Sequence, residues 1–183
     1  MGKFNFIKTD IDGVVIIEPT AYGDDRGYFM ETYQYNDFKA AGIDVEFVQD
    51  NQSKSKKGVL RGLHFQKNFP QSKLVRVING AVYDVAVDLR KDSPTYGKHV
   101  GVLLTAENRR QFFIPKNFAH GFLVVSDEAE FVYKVDDFYQ PNDEGGLKWD
   151  DPELKIEWPL EGIEEIILSD KDKLNPPLSE LKK

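Results

Sequence analysis

Three histidines, His64, His99 and His120, are the only imidazoles in the 183-residue chain. Imidazole is the side chain best placed to exchange protons near neutral pH, so proton-transfer chemistry would start from these positions. His64 lies in Val-Leu-Arg-Gly-Leu-His-Phe-Gln, residues 59–66, a strand-like run with Arg61 close by. It reads either as a general base or as a structural strand histidine, and the second use is the commoner one for a lone residue. A barrel oxygenase presents two closely spaced histidines and a carboxylate; two positions beyond His64 stands Gln66. His99, in a Tyr-Gly-Lys-His-Val segment, reads as surface. His120 reads as a turn residue with a structural hydrogen bond or as a ligand contact. Tyr133 and Tyr139 are either aromatic packing or a proton donor and a stacking group; alternation puts them on one face if their strand runs on that far. No phosphate-cradling glycine loop and no serine nucleophile motif occurs. The chain has no cysteine, which excludes disulfides, thiolate metal sites and thiol nucleophiles.

The elements that must position these groups are strands. Short apolar runs recur between turn signals at 14–17, 27–33, 45–48, 58–65, 73–78, 81–89, 100–104, 111–114, 121–125 and 130–135. Thirteen Phe and eight Tyr among many Val and Ile suit pleated, half-buried surfaces. About ten strands with little helix predict an all-β sandwich or barrel. One short helix is expected over 36–41, with Asn36 as N-cap and Gly42 just past its end. Asn79-Gly80 between two alternating runs predicts a type I′ hairpin, in which Ile78 faces Ala81 and Lys73 faces Ala86. One face of that hairpin carries Leu74, Arg76, Ile78, Ala81, Tyr83, Val85, Val87 and Leu89, and is expected to pack against another sheet. The other carries Lys73, Val75, Val77, Val82, Asp84, Ala86 and Asp88. This second face is either a solvated surface with a weak Lys–Asp pair or the lining of a barrel mouth where polar groups converge on a ligand. From Tyr139 onward the chain is rich in Pro, Asp, Glu and Lys. It is expected to form loops and short helices wrapped on the barrel, within a single domain over 1–183.

Composition bounds the partners. Lys+Arg is 24 and Asp+Glu is 31, a formal charge of −7. A net acidic chain argues against binding nucleic acid or an anionic membrane surface. No stretch approaches the roughly 18 apolar residues of a membrane span. The opening Met-Gly-Lys-Phe-Asn-Phe-Ile-Lys lacks the apolar run of a secretory leader, so a cytoplasmic location is expected.

Seven segments then carry a resemblance. Gly-Asp-Asp-Arg-Gly-Tyr-Phe-Met-Glu-Thr (23–32), Phe-Val-Gln-Asp-Asn (47–51), the 59–66 run, 73–91, 113–124, Phe-Val-Tyr-Lys (131–134) and Ser-Asp-Lys-Asp (169–172) stand in order over most of the chain. Together they resemble the dTDP-4-dehydrorhamnose 3,5-epimerase family, from near the N-terminus to about Pro177. The resemblance implies a cupin-like jelly roll, a homodimer and an epimerase that uses no cofactor and no metal. The implied reaction inverts C3 and C5 of dTDP-4-dehydro-6-deoxy-D-glucose to give dTDP-4-dehydro-L-rhamnose, on the route to dTDP-L-rhamnose.

The same resemblance assigns roles. His64 is the base, oriented by Asp172, which is chosen over Asp170 because the family pattern is Ser-x-Lys-Asp. Lys73 stabilises the enolate and Tyr133 returns a proton from the opposite face. Arg26, Arg61 and Lys171 contact phosphate or nucleotide. Glu31, Gln49, Asp50 and Asn51 belong to the nucleotide portion, and Phe29 stacks on the base, reaching across the dimer. His120, Tyr139 and Glu144 complete the pocket, with Asp84 behind them. Phe65 and Phe138 stand where some members carry Tyr. Strict alternation sets Arg61 and His64 on opposite faces; a bulge at Gly62 reconciles them. Relatives that epimerise a single carbon share most of this framework, and a metal-dependent cupin or a non-catalytic sugar-nucleotide binder are the other classes a barrel of this kind admits.

Overall fold

A computed structural model describes residues 2–181. Strands dominate: β1 (Phe4–Lys8), β2 (Val15–Pro19), β3 (Tyr22–Asp24), β4 (Gly27–Phe29), β5 (Gln49–Lys56), β6 (Leu60–Gln66), β7 (Lys73–Asn79), β8 (Ala81–Asp88), β9 (His99–Thr105), β10 (Gln111–Ile114), β11 (Phe118–Val124), β12 (Glu128–Val135) and β13 (Glu144–Gly146). Two short helices, α1 (Tyr35–Ala40) and α2 (Leu178–Leu181), and a 3-10 turn at Asp172–Leu174 complete the set. One sheet runs β1-β2-β10-β7-β12-β5 and a second runs β13-β6-β11-β8-β9; β3 and β4 form a separate two-stranded hairpin. This is the expected all-β, cupin-like jelly roll. Between the sheets lie Val75, Val77, Val82, Val102, Leu104, Phe112 and Phe131, all buried. Phe122 of one sheet stacks on Phe131 of the other with ring centroids 4.2 Å apart.

The Asn79-Gly80 turn does not make the predicted hairpin. β7 and β8 belong to different sheets, so the turn carries the chain from one sheet to the other. Gly80 does take the positive φ the motif requires, +75°. A Cβ there would sit 1.9 Å from the Glu128 carbonyl oxygen, so the turn is packed under the start of β12. Turn chemistry sets two residues' dihedrals, whereas the edges of β7 are taken by β10 and β12 and those of β8 by β11 and β9. The face assignment survives, because alternation belongs to each strand and not to its partner. Val75, Val77, Val82 and Ala86 point into the space between the sheets. The apolar face packs against no second sheet: Leu74 meets the cluster around Phe38 of α1, and Val85 and Val87 meet Leu147, Leu154 and Trp158 of the C-terminal segment. Asp88 is buried but supports a loop, taking hydrogen bonds from Arg90, Ser93 and Thr95. Burial opposes its charge, yet those bonds hold its carboxyl far below the usual range.

Other departures have local causes. The helix begins one residue early because the Gln34 side chain, not Asn36, accepts from the Asp37 N–H. Residues 45–48 pack as extended coil, with Val45 and Phe47 against Phe38. Four strands carried no apolar run long enough to notice: β1, β3, β5 and β13. β5, Gln-Asp-Asn-Gln-Ser-Lys-Ser-Lys, is an edge strand whose polarity blunts further pairing. His99 is half-buried, and that burial, ahead of the opposing Glu157 charge, lowers its pKa.

One irregularity decides the site. On β6, Arg61 pairs with Phe122 and His64 with His120, so β6 spends one residue more than β11 over that stretch. Gly62 takes φ +118° there, and a Cβ on it would fall 2.6 Å from Gly121 Cα and 2.7 Å from the His120 oxygen. Both the dihedral and the close approach demand glycine. Gly62→Ala is expected to lower unfolding free energy by about 2–5 kcal/mol in urea titrations, the sum of a strained dihedral and an overpacked contact.

Candidate active site

The bulge turns Arg61 and His64 into one cavity. Its volume is about 610 Å³, and its walls include Arg61, His64, Lys73, His120, Phe122, Phe131, Tyr133, Tyr139, Glu144, Lys171 and Asp172. Residues from both sheets meet there, at the side where edge strand β5 lies opposite β6 and β13. A wider groove of about 1260 Å³ around Arg90, Lys91 and Tyr96 holds none of the predicted site residues.

His64 is the best-supported titratable group. Its Nε2 lies 2.5 Å from Asp172 Oδ1. Asp172 is only 4% exposed and also accepts from the Gly62 N–H. Burial opposes its ionisation, but the hydrogen bond and charge of His64 outweigh it and keep the carboxyl below its ordinary range. An ionised Asp172 accepts from Nε2–H, which fixes the tautomer and leaves Nδ1 able to take a proton. Asp170 instead points to solvent and pairs with Lys173. The Ser169 hydroxyl accepts from the Asp172 N–H and so anchors the turn that carries the carboxylate.

Lys73 opens β7 and is half-buried. Burial pulls its ammonium down to about 8, against the opposing charges of Asp84 and Glu144. It makes no hydrogen bond to any described residue, so its protons are available to a ligand oxygen. Behind it, Asp84 on β8 places both carboxylate oxygens 2.9 Å from His120 Nε2. Burial, opposed by Asp84, lowers the His120 pKa. The His120 ring lies over Phe131, with centroids 6.1 Å apart.

Tyr133 comes from the other sheet. On β12 it faces Asn51 of β5 and Val75 of β7. Burial raises its phenol pKa, and the Arg61 charge pulls the other way. It is therefore a protonated donor at neutral pH with a cation nearby to receive a phenolate. β12 ends at Val135, so Tyr139 shares the cavity through the loop that follows and not through strand alternation. Tyr139 donates to Glu144 Oε2 at 3.0 Å, and Lys171 makes a short ion pair to the same oxygen. Glu144 Oε1 stands 3.8 Å from His64 Nε2. Burial opposes the Glu144 charge, but Lys171, His64 and Tyr139 together hold its carboxyl low.

The remaining predicted residues divide. Arg61 donates from Nε and Nη2 to Ser55 Oγ, both at 3.0 Å. Gln49 Nε2 donates to Asn51 Oδ1, and Gln49 Oε1 accepts from the Tyr139 N–H, which ties edge strand β5 to the cavity rim. Asp50 does not line this cavity within the chain: its carboxylate lies 2.6 Å from Lys134 Nζ, because alternation turns it away from Gln49 and Asn51. Arg26, Phe29 and Glu31 are not brought to this cavity within the chain. Arg26 folds back on Asp24, Phe29 is 67% exposed, and Glu31 pairs with Lys3. Sequence reasoning missed Ser55, Ser169, Phe122 and Phe131; alternation along β5, β11 and β12 is the signal that would have found three of them. Among the described residues, no three His, Asp or Glu side chains converge as a metal site requires.

The arrangement has the parts of carbon-acid chemistry. An oriented imidazole and a phenol come from opposite sheets, with a half-buried ammonium and further cations lining the same cavity. Comparisons with known proteins agree with that reading. The dTDP-4-dehydrorhamnose 3,5-epimerase family profile matches residues 8–180. The epimerase of that description from Methanothermobacter thermautotrophicus is 57% identical over 180 residues, 98% of this chain and 97% of the relative. The crystal structure of a Legionella pneumophila 3,5-epimerase in complex with dTDP-4-keto-L-rhamnose is 52% identical, covers 96% of this chain and 93% of its own, and superposes with a TM-score of 0.93. A 3′-monoepimerase from Streptomyces bikiniensis is 34% identical, covers 96% and 89%, and superposes at 0.89. The chain belongs to the dTDP-4-dehydrorhamnose 3,5-epimerase family.

Proposed function

We propose that the chain inverts C3 and C5 of dTDP-4-dehydro-6-deoxy-D-glucose, giving dTDP-4-dehydro-L-rhamnose. One observation supports this above the others: His64 on β6 and Tyr133 on β12 address one cavity from opposite sheets. Inversion needs that disposition, since a proton leaves one face of a carbon and another arrives at the opposite face. The C4 ketone makes the C3 and C5 hydrogens acidic. His64 Nδ1 takes one of them, and the C–H electron pair becomes an enolate on the C4 oxygen. Lys73 faces that oxygen with an otherwise unbonded ammonium. Tyr133 then protonates the carbon from the other side, its phenolate held by Arg61 until a solvent proton restores it. The imidazolium returns its proton to water, and the cycle repeats at the second carbon. No electrons are gained or lost overall, so the reaction calls for no oxidant or reductant. Arg61 and Lys171 supply the cations for the diphosphate.

Arg26, Phe29 and Glu31 serve, on this reading, the cavity of a second copy in a homodimer. The exposure of Arg26 and Phe29 on a hairpin that pairs with no other strand supports that role. A cytoplasmic location fits a nucleotide-sugar substrate, and among the described residues no helix is long and apolar enough to cross a membrane.

Incubation with the ketosugar nucleotide in D₂O tests the function. Deuterium is expected at both C3 and C5, with inversion at each. Label at one carbon alone would make the chain a mono-epimerase, the activity of the Streptomyces neighbour. Binding without any exchange would make it a binder.

The Lys73 ammonium sets an expected pH limit. It must be charged to neutralise the enolate, and its pKa lies at about 8. The kcat/KM profile of the free enzyme should fall on the alkaline side with an apparent pKa near 8, and Lys73→Arg should push that limb well upward. A limb unmoved by Lys73→Arg belongs to another group. The sign for stability is opposite. A lysine with a folded pKa below its unfolded value penalises the fold at low pH, and that penalty is relieved as pH climbs from about 8 towards 10.5.

A further inference from the structure

The β3–β4 hairpin is held to the body in an unusual way. It pairs with no other strand. Among the described residues, no backbone or side-chain hydrogen bond joins 22–29 to another element; Arg26 bonds only to Asp24, within the hairpin. Its cation–π contact to the body is with the guanidinium of Arg109, which lies over the Tyr28 ring 4.4 Å from its centroid.

Arg109 is itself rigidly presented. It sits in the turn between β9 and β10 at φ +55°, a conformation few non-glycine residues adopt. Asn108 braces that turn on three sides: its Oδ1 accepts from the Thr105 and Arg110 N–H groups and its Nδ2 donates to the Leu103 carbonyl. The Arg109 side chain makes no hydrogen bond or ion pair among the described residues, and its Nε is buried without a partner. Among the described residues, the Tyr28 ring is the one ring or polar partner of this charged side chain, which is held in a strained turn.

Alternation gives the contact its consequence. With Tyr28 turned to the body, its neighbour Phe29 must face away. Tyr22 pairs directly with Phe29 and shares its face; the two are 57% and 67% exposed. The outward side of the hairpin is thus an aromatic platform with Arg26 at its tip. We propose that Arg109 is a positioning residue for nucleotide binding: by clamping Tyr28 it fixes the angle at which the hairpin offers Phe29 and Arg26 to the cavity of a second copy. The inference rests on the reading that the hairpin acts on a neighbouring cavity.

Steady-state kinetics of the full chain with the dTDP-ketosugar test it. Arg109→Ala and Tyr28→Leu should each raise KM about three- to thirtyfold, the span a cation–π contact covers. The value of kcat should change less than twofold, since neither residue meets the reacting atoms. Arg109→Lys and Tyr28→Phe, which keep a cation and a ring, should recover most of the loss. The double variant should be no worse than either single one. If Phe29→Ala raises KM while Arg109→Ala and Tyr28→Leu do not, the clamp is wrong and the hairpin reading stands. If Phe29→Ala and Arg26→Ala also leave KM unmoved, the hairpin reading itself fails. A rise with Arg109→Ala but not Tyr28→Leu, or a fall confined to kcat, overturns the clamp; Tyr28→Leu, at a 57% exposed position, decides the matter if the arginine variant does not fold.

Discussion

His64→Ala is expected to lower kcat/KM by about 10²–10⁴, the worth of a well-placed general base, and to abolish deuterium entry at C3 and C5 together. Both exchanges should vanish because one imidazole serves both carbons: His64 lines the cavity with Nε2 held by the Asp172 carboxylate and Nδ1 left to take a proton. His120 is the poorer base, since its side chain is 8% exposed against 30% for His64 and burial lowers its pKa. Asp172→Asn should cost a comparable factor while leaving KM nearly unchanged, because an amide no longer enforces the tautomer with Nδ1 free. Exchange persisting at either carbon in the alanine variant would mean that a second base works there, and the assignment of His64 to both steps would fall.

Tyr133→Phe should separate the two halves of the reaction. Proton removal needs His64 and Lys73 and survives. Proton delivery from the opposite face does not, so inversion should slow by about 10²–10⁴. The enolate can still be reprotonated by the imidazolium that formed it. Recovered starting sugar should therefore gain deuterium without changing configuration, read by proton NMR as loss of the C3 and C5 signals with no new epimer. The phenylalanine keeps the ring's packing against Phe131, whose centroid lies 5.9 Å away, so stability should hold. Inversion at the parent rate would identify water or another residue as the second acid.

Much of this site was written in strand alternation. Lys73 and Asp84 emerged on one face with Val75, Val77, Val82 and Ala86, and that face does line the space between the sheets. Partner choice was not legible. Asn79-Gly80 specifies a tight turn, but whether the flanking strands then pair depends on edges supplied by residues 111–114 and 118–135. Polar strands were invisible for the same reason: β5 has no apolar periodicity, yet it carries Gln49, Asn51 and the Ser55 that holds Arg61. The meeting of Arg61 with His64 turned on one extra residue at Gly62, which alternation alone contradicts and only the opposing strand reveals. The reach of Arg26, Phe29 and Glu31 is another such case, since no property of residues 23–31 says whose cavity they face.

The stacking of Phe122 on Phe131 links the hydrophobic interior to the rate of the reaction. One ring stands on the strand that pairs with β6, the other two residues from Tyr133 on the same strand. The pair acts as a spacer whose thickness sets the gap between base and acid. A carbon must fit that gap with a hydrogen pointing at each wall, so catalytic tolerance is inherited from core packing. Shaving either ring would let the walls settle closer and tilt, and the enzyme would lose turnover without losing a group that gives or takes a proton. In evolutionary terms, the width of this gap is a dial that drift in the core can turn.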